Sequence, residues 1–263
     1  MVLLDMMSKN TADELIVAHF DHGIRDDSAD DAKFVGELAK KHGLKYETKR
    51  EELGKNANEE LARDRRYGFL RSVAKKYDAQ LVTAHHSDDV IESIIINLMR
   101  GTGWRGLAVM DSDVVRPLWD KTKAEIISYA KANKLKWHED STNASDKYLR
   151  NRVRRQLVAL DDDTKRQLLA LWSSQKLIKQ QIEDENRRLI GTKKTLPRHL
   201  FICINKDPAV ELLRNVTDGR LTRPQLENLL IAVKTMPAGK KYEAGNGVKI
   251  AFTPRNFTVE LLK

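Results

Sequence analysis

Hydrophobic positions along the first half of the chain alternate between two rhythms. Short apolar runs at residues 15–20, 44–48, 81–84 and 114–118 predict buried strands. Between them lie longer stretches in which apolar residues return every three or four positions. Residues 28–42 carry Phe34, Val35, Leu38 and Ala39 on one stripe, and residues 58–77 carry Leu61, Tyr67, Phe69, Leu70 and Val73. A third helix runs through the apolar residues 94–99, with Ser87 or Asp88 capping its N-terminus. Residues 1–8 read as a helix without a cap, whereas Thr122 and Glu125 form a capping box opening a helix to about Asn133. Strands and helices alternating at these lengths predict an α/β fold, a doubly wound parallel sheet with right-handed crossovers.

The pattern changes in the second half. Residues 161–190 read as one charged helix, and residues 191–199, with Gly191, Thr192 and Pro197, as a linker. A strand at 200–204 follows, then helices at 209–216 and 223–234, the second with Pro224 at its start. Two strands flank Gly245, Asn246 and Gly247, a hairpin signal. The expected organisation is a catalytic domain over residues 1–160, a helical connector and linker over 161–195, and a small α+β domain over 196–263.

Composition narrows the function classes. Lys and Arg outnumber Asp and Glu by 47 to 38, a net charge of +9 that favours a polyanionic partner, nucleic acid before membrane. A single cysteine, Cys203, excludes a disulfide framework or a Cys-based zinc site and suits a reducing, cytoplasmic setting. No apolar run reaches the length of a membrane span.

The chemistry concentrates where the third predicted strand meets its helix, at His85, His86, Ser87, Asp88, Asp89 and Glu92. Asp89 and Glu92, three apart, share a helix face, with Asp88 in the first turn. Carboxylates so placed can hold Mg²⁺ or the ammonium of an amine; the bland reading is that acids favour the positive end of a helix dipole. Arg100, Gly101, Thr102 and Gly103 form a glycine turn able to bring backbone N–H groups to phosphate oxygens. As a helix, residues 147–155 would place Lys147, Arg150 and Arg154 along one side, suited to tracking phosphates.

Several elements occur in an order that resembles a known family. These are Val17 to Gly23, Ala62-Arg63 with Arg66-Tyr67, Ala84 to Asp89 with Glu92, and Arg100 to Gly103. The series continues with Arg116-Pro117-Leu118, Glu139 to Asn143, and Tyr148 to Asn151. Residues 1–160 are similar to the tRNA(Ile)-lysidine synthetases, PP-loop ATP pyrophosphatases with an adenine nucleotide alpha hydrolase-like fold.

The resemblance implies ATP-dependent adenylation of C2 of cytidine 34 in the CAU anticodon of an isoleucine tRNA, then attack by the ε-amine of L-lysine to give lysidine. It assigns Asp89 and Glu92, helped by Asp88, to lysine recognition and catalysis, with Asp88 also a candidate Mg²⁺ ligand. It assigns His19, His22, Gly23, His85 and Arg100 to Gly103 to ATP, and Arg63, Arg66, Lys147, Arg150 and Arg154 to tRNA, with the small C-terminal domain also recognising tRNA. It admits a homodimer.

The family's Ser-Gly-Gly-x-Asp-Ser phosphate loop is not found, and residues 1–5 resemble the segment immediately after that loop. The expectation is therefore an N-terminally truncated polypeptide that binds ATP poorly and turns over little, one that can also lack a further C-terminal domain. The alternatives are a PP-loop enzyme that thiolates tRNA, disfavoured by the single cysteine, or a non-catalytic tRNA-binding derivative.

Overall fold

The computed structural model describes residues 1–23, 28–54, 59–110, 113–138 and 149–262. The chain divides into two compact units, residues 1–173 and 174–263.

The first unit opens with α1 (Val2–Asn10), whose buried Asp5 accepts hydrogen bonds from Lys9 (2.8 Å) and from the Tyr129 hydroxyl (2.9 Å). β1 (Ile16–Asp21) and β2 (Lys45–Arg50) pair in parallel, with α2 (Ser28–Lys41) as the crossover. β1 was expected to be buried throughout, but only Phe20 and Asp21 are, because the described sheet gives it one partner strand. α3 (Glu59–Lys76) packs on β1, bringing Phe69 beside Phe20.

The strands expected at 81–84 and 114–118 shrink to a single parallel bridge, Val82 to Val115. The N–H of Thr83 bonds Val115 and that of Val115 bonds Leu81, and the pairing then stops. Pro117 has no N–H to extend a ladder, and the Arg116 side chain bonds the carbonyls of Met110 (2.7 Å) and Val114 (2.9 Å). α4 (Ser87–Met99) is the central helix of the unit. Its Val90 and Ile94 pack with Val109 and Trp172, and its Ile91 and Ile96 with Val153 and Leu157 of α6 (Leu149–Leu157). α5 (Lys123–Ala132) begins at the expected capping box, Thr122 with Glu125.

α7 (Asp162–Ile190) follows, and the second unit continues with β3 (Thr195–Pro197), α8 (Arg198–Cys203), α9 (Lys206–Val216) and α10 (Arg223–Thr235). β4 (Lys241–Gly245), β5 (Val248–Phe252) and β6 (Asn256–Leu261) complete an antiparallel sheet of order β3-β6-β5-β4. Residues 200–204, expected as a strand, belong largely to α8 instead. A helical turn after Pro197 drives Phe201 into the core, edge-on to Phe257 at 5.1 Å. The hairpin at Gly245 to Gly247 forms as expected, while β6 adds a strand beyond the two that the sequence pattern predicts.

Candidate active site at the start of the central helix

The chain reaches α4 through extended backbone, and His86, rather than Ser87 or Asp88, is the N-cap. Its backbone N–H donates to Asp89 Oδ2 at 3.0 Å, and the two make a reciprocal cap. Ser87 turns away to bond the carbonyl of Lys121 through both its N–H (2.9 Å) and its hydroxyl (2.8 Å), which fastens the helix start to the segment before α5.

The three acids separate. Asp89 and Glu92 share a helix face, as their spacing requires, and both meet Arg154: Nη2 lies 3.5 Å from Asp89 and Nε donates to Glu92 at 2.8 Å. Arg150 meets the other Glu92 oxygen. Arg150 and Arg154, four apart on α6, thus sit side by side as read from sequence, over a carboxylate that is 1 % exposed. Asp88 points elsewhere, accepting the Lys123 N–H at 2.9 Å, with His86 3.8 Å away.

Burial holds the Glu92 carboxyl above the usual range, outweighing the two guanidiniums. The expectation of an open acid cluster is therefore corrected: Glu92 lies under its arginines and only Asp89 stays with it. Among the described residues no three His, Cys, Asp or Glu side chains form a group fit to hold a metal ion. Among the described residues, then, these side chains do not by themselves assemble the expected Mg²⁺ site, and no step is routed through one.

Cationic groups also act on the residue just before the helix start. His85, whose Nδ1 is 2.8 Å from the Thr83 hydroxyl, is pushed down to about 4, mainly by burial. Asp89 pulls its pKa upward, while the charges of Arg116, Arg63 and Arg66 press it further down. The ring is thus neutral at pH 7, under the opposing influence of one acid and three arginines. Arg63 and Arg66 stand 4.9 Å and 5.6 Å from the centroid of Tyr67, which keeps them splayed around one buried ring. Arg116, part of a sequence motif but without an expected role, joins this group; nothing in its local spacing signals the approach.

The end of β1 supplies a third edge. Gly23 adopts φ +60° and donates its N–H to Asp21 Oδ1 at 2.8 Å. A Cβ there would come within 3.0 Å of the Glu52 backbone, so glycine is required twice over. His22 and His19 are both held below the usual histidine range by burial, and His22 Nδ1 is buried with no hydrogen-bond partner among the described residues.

The glycine turn after α4 behaves differently from its expectation. The N–H groups of Arg100, Gly101 and Thr102 bond back onto carbonyls of Ile96, Asn97 and Leu98, which leaves those three none to offer a phosphate. Gly103 then leads into a 3-10 turn (Trp104–Leu107), and a Cβ on Gly106 would collide with the Thr102 side chain. Lys147 and the segment 139–143 lie outside the described residues.

Comparison with known proteins agrees with this architecture. The tRNA(Ile)-lysidine synthase of Bacillus cereus is 38% identical over 161 residues, which is 55% of this chain and 34% of that protein. That of Exiguobacterium sibiricum is 37% identical over 168 residues, 61% of this chain and 40% of the relative. That of Persephonella marina is 30% identical over 189 residues, 67% of this chain and 42% of the relative. The chain thus spans well under half the length of these curated relatives. Among solved structures, the U34-tRNA thiolase NcsA from Methanococcus maripaludis superimposes with a TM-score of 0.53 at 17% identity, covering 67% of this chain and 66% of that one. At that identity the likeness concerns the fold. No helix among the described residues is long and apolar enough to cross a membrane. Residues 1–160 match the PP-loop domain, and with that match spanning most of its length, the chain belongs to the PP-loop family.

Proposed function

We propose that this polypeptide carries the ligase chemistry its family resemblance implies: adenylation of cytidine 34 of an isoleucine tRNA with a CAU anticodon by ATP, then displacement of AMP by the ε-amine of lysine. The observation that carries the reading is the junction at His85. Its ring feels Asp89, which shares Arg154 with Glu92 in a pair able to receive an ammonium, and it also feels the charges of Arg63, Arg66 and Arg116. Both reacting partners need such a place, the triphosphate for its negative charge and the amine for its positive charge. In the first step the cytidine C2 oxygen bonds the α-phosphorus and pyrophosphate leaves. In the second, the ammonium gives a proton to the facing carboxylate, the freed lysine nitrogen bonds C2 with loss of its next proton to the same acids or water, and AMP leaves with the bridging oxygen.

In this reading Arg63, Arg66 and Arg116 stabilise phosphate charge and hold the polynucleotide backbone. His85, neutral at physiological pH, adds no charge between the two halves of the site. Asp89 and Glu92 receive the lysine ammonium after exchange with Arg154. His19, His22 and Gly23 line the nucleotide side at the end of β1.

The test is incubation with isoleucine tRNA, ATP and labelled lysine, using the chain alone and the chain preceded by what its reading frame encodes upstream. Label entering the tRNA, with a mass increase of one lysine less water, supports ligation. A mass increase of sulfur, or no label with either polypeptide, overturns it. Asp89→Asn and Glu92→Gln should abolish labelling while tRNA is still bound; loss of tRNA binding would remove these acids from amine recognition.

A further inference from the structure

Trp119 leaves 43% of its surface in water, in a turn of the first unit between Arg116 and Lys121. A single exposed apolar side chain needs no explanation by itself. This one has both a rigid support and a place at the entrance to α4.

The support is a second tryptophan. The two indole centroids are 5.3 Å apart with their planes inclined by 52°, a separation at which aromatic rings attract. Trp172 is 5% exposed, packs with Val90 and Ile94 of α4, and donates its indole N–H to the Val109 carbonyl at 2.8 Å. The turn is closed by the Trp119 N–H on the Arg116 carbonyl (3.2 Å) and by the Lys121 N–H on the Leu118 carbonyl (3.0 Å), and the Leu118 side chain is buried. The Trp119 ring is thus held in place before anything meets it, and a flat ligand laid against it has little ordering left to bring about.

The place follows from where the turn is fastened. Ser87, the first residue of α4, bonds the Lys121 carbonyl through its hydroxyl (2.8 Å) and its N–H (2.9 Å), and Asp88 accepts the Lys123 N–H at 2.9 Å. On the other flank, Arg116 acts on His85. Two residues of chain span about 7 Å at most, so the backbone of Trp119 stays within that reach of the residue that Ser87 holds. The acid of the turn, Asp120, is paired with Lys121 at 2.9 Å, and Lys123 beyond it is exposed.

Chemistry at C2 of a cytidine requires that base to leave its stack, and the bases flanking it lose a stacking partner at the same time. Phosphate contacts position the backbone without holding those bases, whereas an indole face holds a base whatever its identity. We propose that Trp119 is the stacking surface for a base next to the one that reacts, an unstacked nucleobase of single-stranded RNA. This rests on the RNA-substrate reading above and deepens it, adding a contact to a base where the other contacts are made by charged groups.

The test uses the full chain and a labelled RNA hairpin carrying the anticodon loop of the isoleucine tRNA, without ATP or lysine. Trp119→Ala should weaken binding about tenfold or more, and Trp119→Phe, which keeps an aromatic face, by no more than about threefold. Trp119→Leu keeps apolar cover over Trp172 and should lose as much as Trp119→Ala, which separates loss of the aromatic face from loss of packing. The slope of log K against log salt should stay constant in all three, because no charge is removed. Replacing loop nucleotides one at a time by abasic ones should find a position beside the cytidine where the parent protein loses about tenfold and Trp119→Ala loses nothing more. Losses that multiply at every position, a Trp119→Ala effect under about twofold, or an equal effect on a fully paired duplex overturns the proposal. Altered self-association of Trp119→Ala in sedimentation, with hairpin affinity unchanged, would replace the base by a second copy of the chain. A parent protein that does not bind the hairpin would end the RNA reading and this inference together; one that binds it with losses that multiply would end the stacking alone.

Discussion

In residues 174–263 four helices, counting the end of α7, and an antiparallel sheet close on one cluster of twenty buried apolar residues, while the two clusters found in residues 1–173 hold four each. The buried polar residues fall the other way. Asp5, Asp21, Ser28, Ser87, Glu92 and Asn151 belong to the first unit, and only Asn186 and Thr217 to the second. One unit is organised by packing and the other by fixed polar groups, each needing a partner to be tolerated away from water. The histidines divide in the same sense: six of the seven are in the first unit, with His199 alone in the second.

The sharpest test of this contrast is a core truncation. Phe257→Ala removes a fully buried ring packed edge-on against Phe201 and should destabilise the second unit by about 3–5 kcal/mol. In urea unfolding followed by Trp and far-UV signals, its transition should shift while that of the first unit holds. A single merged shift would mean that the units do not unfold independently.

Acid should separate the units further. The folded-state pKa of His85, about 4, lies below its unfolded value of 6.5. Its contribution is therefore present above pH 6.5 and is lost as pH falls toward 4, by at most about 3 kcal/mol. His19 and His22, also lowered, add to the same trend. Melting over this range should show the first unit weakening ahead of the second, and His85→Gln should flatten the slope.

At Glu92 burial outweighs the pull of Arg150 and Arg154, so Glu92→Gln, which puts a neutral amide in the same space, should change first-unit stability by less than about 1 kcal/mol in urea unfolding. A loss of about 3 kcal/mol or more would show that pairing with the arginines exceeds the carboxylate's burial.

The smallest expected effect is at α5, where Thr122→Ala removes one half of the capping box. Amide exchange at Glu125 should accelerate roughly fivefold with little change elsewhere.

Helices announced themselves in the sequence because their signals are local. The Thr122 and Glu125 pair, the stripe of Phe34 to Ala39 and Pro224 each act within a turn or two, and each stands where expected. Strands depend on partners that the sequence does not display. Residues 81–84 and 114–118 are apolar enough for a ladder, but Pro117 limits it to one bridge. Residues 200–204 are too short a run for periodicity to separate strand from helix, and packing of Phe201 on Phe257 decides for helix.

At the site, the shared face of Asp89 with Glu92 and the side-by-side Arg150 and Arg154 followed from helical spacing. That these two pairs meet each other joins residues 62 positions apart and could not be read locally. The same holds for Arg116 beside His85. His86 as a cap runs against its residue type, and it works through the returning Asp89 carboxylate rather than through preference.

Arg154 bridges Asp89 and Glu92 with a side chain that is itself 40% exposed. A primary amine arriving at that pair brings no charge that is not already there. Its entry is a swap of one monovalent cation for another, and electrostatic attraction to the acids largely cancels between the two occupants. Occupancy then turns on shape and hydration, a compact tetrahedral group against a flat delocalised one, and on whether something outside offers the departing guanidinium a better seat.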